Sequence, residues 1–127
     1  MDLRMQHLVR AGGREVFDLE ATLARLGGER MVLRRVLHQF ALDLAEWEPS
    51  LMALRGAADA AALCQLAHAI KSAAASAGAV RLHAAAQALE AGLRAGSAVP
   101  PGELADACRS EFRRASTALR EQLAGMP

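Results

Sequence analysis

Residues 32–47 read VLRRVLHQFALDLAEW, in which Val32, Leu33, Val36, Leu37, Phe40, Leu44 and Trp47 stand three or four positions apart. That spacing gathers them on one face of an α-helix, whereas a half-buried strand would alternate apolar and polar residues. The pattern runs on through Leu51 and Leu54. Pro49 lies inside it and is expected to bend or restart the helix, because proline removes a backbone hydrogen bond anywhere beyond a first turn. A long helix with one apolar stripe needs other helices or a sheet to cover it.

Composition selects helices. Hydrophobic residues make up 53% of the 127-residue chain but aromatic ones only 3%, with no Tyr. Strands favour the β-branched and aromatic residues that are scarce here, while Ala, Leu, Arg, Glu and Gln are strong helix formers. The length suits one domain with a real core.

Working outward from the long helix, Asp18 is placed to cap a short helix over LEATLARL that stops at Gly27 and Gly28. Residues 1–15, with Arg4, Arg10, Arg14 and the Gly12–Gly13 pair, show weak periodicity and read as a leader or linker. Downstream, Gly56 ends the long helix, Asp59 is an N-cap, and residues 60–77 form a helix that Gly78 terminates. A fourth helix spans Val80 to Ala95 with Leu82, Ala86, Leu89 and Leu93 as its stripe. A loop of Gly96, Ser97, Pro100, Pro101 and Gly102 precedes a last helix over 103–124 that carries Leu104, Cys108, Phe112, Ala115, Leu119 and Leu123. The expected fold is all-α: an antiparallel up-down-up-down four-helix bundle over residues 16–127, with the short N-terminal helix across one end.

The stretch AHAIKSAAASAGA, Ala67 to Ala79, sets His68 and Lys71 among Ala, Ser and Gly. On a wheel turning about 100° per residue, Leu63, Leu66, Ile70, Ala74 and Ala77 lie opposite His68. His68 therefore points to solvent, and the residues around it are Ala61, Cys64, Lys71, Ser72, Ala75 and Ala79. A solvent face normally carries long charged side chains, so a face cleared around one imidazole is expected to receive another protein. Lys71 is the single lysine among 15 basic residues. A compact ammonium on a flexible stem suits an anion that comes and goes, where Arg would offer a rigid fork.

Other functions find little support. The net charge is +1 with signs interspersed, and few aromatics exist for bases to stack on, so nucleic acid is not an expected partner. No apolar run is long enough for membrane insertion or export. Cys64 and Cys108 are too few for a disulfide framework, which fits a reducing cytoplasm. Cys64 and His68 could be half a metal site, but no carboxylate or second His shares their helix surface, so no metal is expected. His38 and His83 read as ordinary helix residues, and His83, Gln87, Glu90 and Arg94 as a mostly solvated polar stripe. No nucleotide-binding loop, Ser-His-Asp order or H-E-x-x-H pair supports an enzyme.

From His68 to Gly78 the block HAIKSAAASAG resembles the signature of histidine-containing phosphotransfer (HPt) domains, H-x-[LI]-K-[GS]-[SA]-[AS]-x-x-x-G. The similarity extends from about Val16 (VFDLEATLARLGGER) to the triplet Ala88–Glu90, most of the chain. The resemblance implies a four-helix bundle whose His68 carries phosphate between receiver-domain aspartates in a multistep phosphorelay, with Lys71 as supporting cation and no catalytic machinery of its own. Ser72 stands where the family most often has Gly, and is able to hydrogen-bond a phosphoryl oxygen. Glu90 stands where other members have Gln or Glu, which would accept from the imidazole Nδ1 and leave Nε2 as nucleophile. Expected partners are receiver domains of response regulators or of a hybrid sensor kinase, with Mg²⁺ on the receiver and none on this chain, which is expected to be a monomer. The alternative is a helical scaffold or metal-binding module without phosphotransfer.

Overall fold

A computed structural model describes residues 16–55 and 59–125; the leader or linker over residues 1–15 lies outside them. The described residues form five helices and no strand: α1 (Leu19–Arg25), α2 (Arg30–Arg55), α3 (Ala60–Ala77), α4 (Val80–Ala95) and α5 (Pro101–Ala124). Each long helix packs on its neighbours in sequence and α2 packs on α5, so α2 to α5 close a ring around one core. That is the pairing an up-down-up-down bundle requires.

The stripes meet inside this ring. Leu33, Leu37, Phe40, Leu44 and Leu51 of α2 are buried, as are Ile70, Leu82, Leu89, Phe112 and Leu119 of the other helices. Phe17 stacks edge-on against Phe40 at 6.1 Å between ring centres, which anchors the chain ahead of α1 to the bundle. Val32 departs from the expected stripe: it is 40% exposed, because the buried face of α2 is centred on Leu33 and Leu37 and leaves Val32 at its flank. Pro49 does not restart the helix. α2 is continuous through it, and both Pro49 and Ala45, whose carbonyl loses its helical partner, lie on the exposed side, open to solvent. Pro101 and Gly102 belong to α5 rather than to the loop, with Pro101 in the first turn where its missing N–H costs nothing.

The α3–α4 hairpin positions the site. Asp59 caps α3 by accepting from Ala62 N–H at 3.0 Å. Small core residues, Ala67, Ala74 and Ala77 on α3 and Ala86 on α4, let the two backbones approach, and their interface is the most extensive in the bundle. Only Gly78 and Ala79 connect them. Two residues span about 10 Å, far less than the ~27 Å length of an 18-residue helix, so α4 must run back along α3. Gly78 makes this turn in the left-handed region at φ +76°, and a Cβ there would overlap Thr22 Oγ1 and come within 2.9 Å of the Asp18 carbonyl oxygen. Asp18 N–H donates to the Gly78 carbonyl at 2.8 Å and the Asp18 carboxylate caps α1 through Ala21 N–H at 3.0 Å. One residue thus starts α1 and fastens it to the turn.

Candidate functional site

His68 sits mid-way along α3 with its side chain 57% exposed. Its Nδ1 lies 2.7 Å from Glu90 Oε2, a carboxylate delivered by α4. Lys71, one turn on, donates from Nζ to the other oxygen, Oε1, at 2.5 Å. Arg94, one turn beyond Glu90, brings a terminal guanidinium nitrogen to 3.4 Å from Oε2 and donates from Nε to Cys64 Sγ at 3.4 Å. Glu90 is therefore the hub, joining two residues of α3 to one of α4. The hydrogen bond from Lys71, helped by that from His68 and by the charges of Lys71 and Arg94, holds its carboxyl below the usual carboxylate range against the opposing pull of burial.

An ionised carboxylate can only accept, so the ring proton belongs on Nδ1. Nε2 then carries the lone pair, on a side chain more than half exposed. The contact with Glu90 thus fixes which nitrogen carries the proton whenever the ring is neutral.

The surrounding face is as expected in part. Ala61, Ser72 and Ala75 are exposed and Cys64 is half-buried. Ala79 does not belong to it. α3 ends at Ala77, so the helical wheel no longer applies two residues later, and Ala79 is fully buried at the start of α4. Gln65, exposed on the flank of this face, is a longer polar side chain that the wheel left out.

Glu90 is not part of a solvated stripe either: only 8% of its side chain is exposed. On the α4 wheel it lies about 70° from the centre of the Leu82–Ala86–Leu89–Leu93 stripe, closer than the other polar residues. That proximity to the core, together with the i,i+4 spacing to Arg94, is the signal that marks Glu90 and Arg94 as a pair. His83 is not free, since its Nδ1 lies 3.1 Å from the Lys71 carbonyl oxygen and ties α4 to α3 beneath the site. Arg25 of α1 was not singled out in the sequence, and its guanidinium donates to the Ala75 carbonyl at 3.2 Å. His38 is exposed on α2. Among the described residues no group of three or more His, Cys, Asp or Glu is placed to hold a metal ion, and no helix is long and apolar enough to cross a membrane.

The family model for the Hpt domain matches residues 32–124, well over half of the chain. The chain belongs to the Hpt domain family. No curated protein and no solved structure matches it. Hpt domains are phosphocarrier modules rather than catalysts, and they act with receiver domains in the histidine phosphotransfer of two-component phosphorelays. The matched span holds the whole α3–α4 hairpin, whereas α1 and Arg25 lie ahead of it.

Proposed function

We propose that this Hpt domain takes a phosphoryl group onto Nε2 of His68 from the aspartyl phosphate of one receiver domain and passes it to an aspartate of another, in the cytoplasm. The observation that carries this reading is the 2.7 Å contact between Nδ1 of an exposed imidazole and a buried, ionised Glu90. The Nε2 lone pair attacks phosphorus as the P–O bond to the aspartate breaks, its electron pair returning to the carboxylate. The Nδ1 proton stays in the hydrogen bond, and the positive charge gained by the ring faces Glu90. Return transfer reverses each step.

The remaining residues assist. Lys71 offsets the phosphoryl charge, an interaction of a few kcal/mol at most and less once screened. The exposed Ser72 hydroxyl donates to a phosphoryl oxygen. Ala61, Cys64 and Ala75 keep the face low enough for a receiver to reach the ring. Chemistry beyond positioning comes from the receiver, whose Mg²⁺ neutralises the transferring group, as phosphoryl transfer needs.

Incubation with phosphorylated receivers and Mg²⁺ tests the reading. The label on this chain is expected to be acid-labile and base-stable, and absent from His68→Gln, whose helicity and melting temperature stay near those of the wild type. Label retained by His68→Gln would assign the acceptor elsewhere.

A further inference from the structure

Lys71 cannot serve the phosphoryl group from where it stands. Its ammonium is bound to Glu90 Oε1 at 2.5 Å and only a quarter of its side chain is exposed. Glu90 meanwhile holds Nδ1 with its other oxygen, while a phosphoryl group on Nε2 grows from the opposite edge of the ring with a charge near −2. Two anions on opposite sides of one imidazole then compete for one ammonium. Its four-carbon stem and three donors let it turn from one to the other. The group able to stay with Glu90 is Arg94, already 3.4 Å from Oε2 on a side chain that is 65% exposed.

Resting on the phosphocarrier reading above, we propose that Lys71 changes partner as His68 is loaded, leaving Glu90 for the phosphoryl group while Arg94 compensates the carboxylate left behind. Glu90 is thus a positioning residue with two opposed effects. It orients the ring for attack, and it draws Lys71 away from the product. The charge at Glu90 makes the loaded state easier to discharge, and Arg94 tempers that tendency. The single lysine of the chain occupies the one position where a cation must move, and an arginine the position where one must stay.

The experiment loads the protein with phosphoramidate, whose P–N bond breaks as the Nε2–P bond forms and whose nitrogen leaves as ammonia, and follows phosphohistidine lifetime by ³¹P NMR. Glu90→Gln, which keeps an acceptor for Nδ1 but releases Lys71, is expected to lengthen the lifetime about threefold to tenfold, the scale of one partly exposed charge contact. In a Lys71→Ala background the same substitution should have little effect. Arg94→Ala is expected to shorten the lifetime and Arg94→Lys to restore it. An equal effect of Glu90→Gln in both backgrounds, or a shortened lifetime, overturns the exchange. In the wild type, the Lys71 ¹⁵Nζ and Glu90 ¹³Cδ resonances should shift together on loading; if both stay put while His68 is labelled, the exchange is refuted and the carrier reading survives. If no label reaches His68, both fall.

Discussion

The Lys71 ammonium is partly sheltered and bound to the Glu90 carboxylate, and in the proposed relay it also meets the incoming phosphoryl group, so its removal should be felt in rate rather than in fold. Lys71→Ala is expected to slow transfer from a phosphorylated receiver by about threefold to thirtyfold at low ionic strength. The deficit should narrow as salt screens the wild-type contact. Single-turnover transfer measured at low and high salt checks both parts, and an unchanged low-salt rate would remove Lys71 from the phosphoryl group. His68 and Lys71 were legible in the sequence because each is an anomaly: a titratable ring on a cleared face and the chain's one lysine. Glu90 was reached only through family resemblance. Its burial depends on how closely α4 approaches α3, which is decided by alanines on two helices, and the α4 wheel alone places it only at the edge of the apolar stripe.

Among the elements, the α3–α4 turn is the least tolerant of change. Gly78→Ala forces a side chain into the left-handed region, a strain of roughly 1–3 kcal/mol, and drives its Cβ into Thr22. Chemical denaturation should show a loss beyond the strain alone, and Thr22→Ala in the same chain should recover part of it. Additive effects of the two substitutions would mean that α1 gives way instead. On the exposed side of α3, Ala75→Arg is expected to change stability by no more than about 0.5 kcal/mol. It should nevertheless block transfer from a receiver while phosphoramidate still labels His68; receiver transfer at the wild-type rate would mean that the small residues reflect alanine bias and not docking. Caps and stops such as Asp18, Asp59 and Gly78 were readable because they are local. Ala79 was misplaced for the complementary reason, since a periodicity holds only as far as the helix that generates it.

For the whole molecule, Glu90, Asp106 and Cys108 among the described residues are expected to shape the pH dependence of stability. Glu90 is lowered by the Lys71 hydrogen bond foremost, and Asp106 by the hydrogen bonds from Arg55, which pairs with it at 2.6 and 2.7 Å. A carboxylate lowered in the fold contributes stability that is present above its unfolded value and is lost as pH falls through the folded one. The melting temperature should therefore hold through neutral pH and drop below about pH 4.5, the ordinary Glu value. Cys108 works at the other end: burial, then Glu111, pushes its thiol up to about 12 from 9.0. Above pH 9 the unfolded chain ionises and the folded one does not, so stability falls, and Cys108→Ala should flatten that alkaline arm. An alkaline decline of the same slope in both proteins would place its origin elsewhere.

The fastening of Asp18 to Gly78 also gives the bundle a direction of fraying. The C-terminal end of α3 is held by the Gly78 carbonyl bond to Asp18, by Arg25 on the Ala75 carbonyl and by the closed turn into α4. Among the described residues, its N-terminal end carries an exposed cap at Asp59. Local opening is therefore expected to start at Ala60 and travel toward the site, and amide hydrogen exchange should be quicker in the residues before His68 than in those after Lys71. His68 lies at that boundary, with Ala61 and Cys64 on the side expected to open first and Ser72 and Ala75 on the side held by the turn.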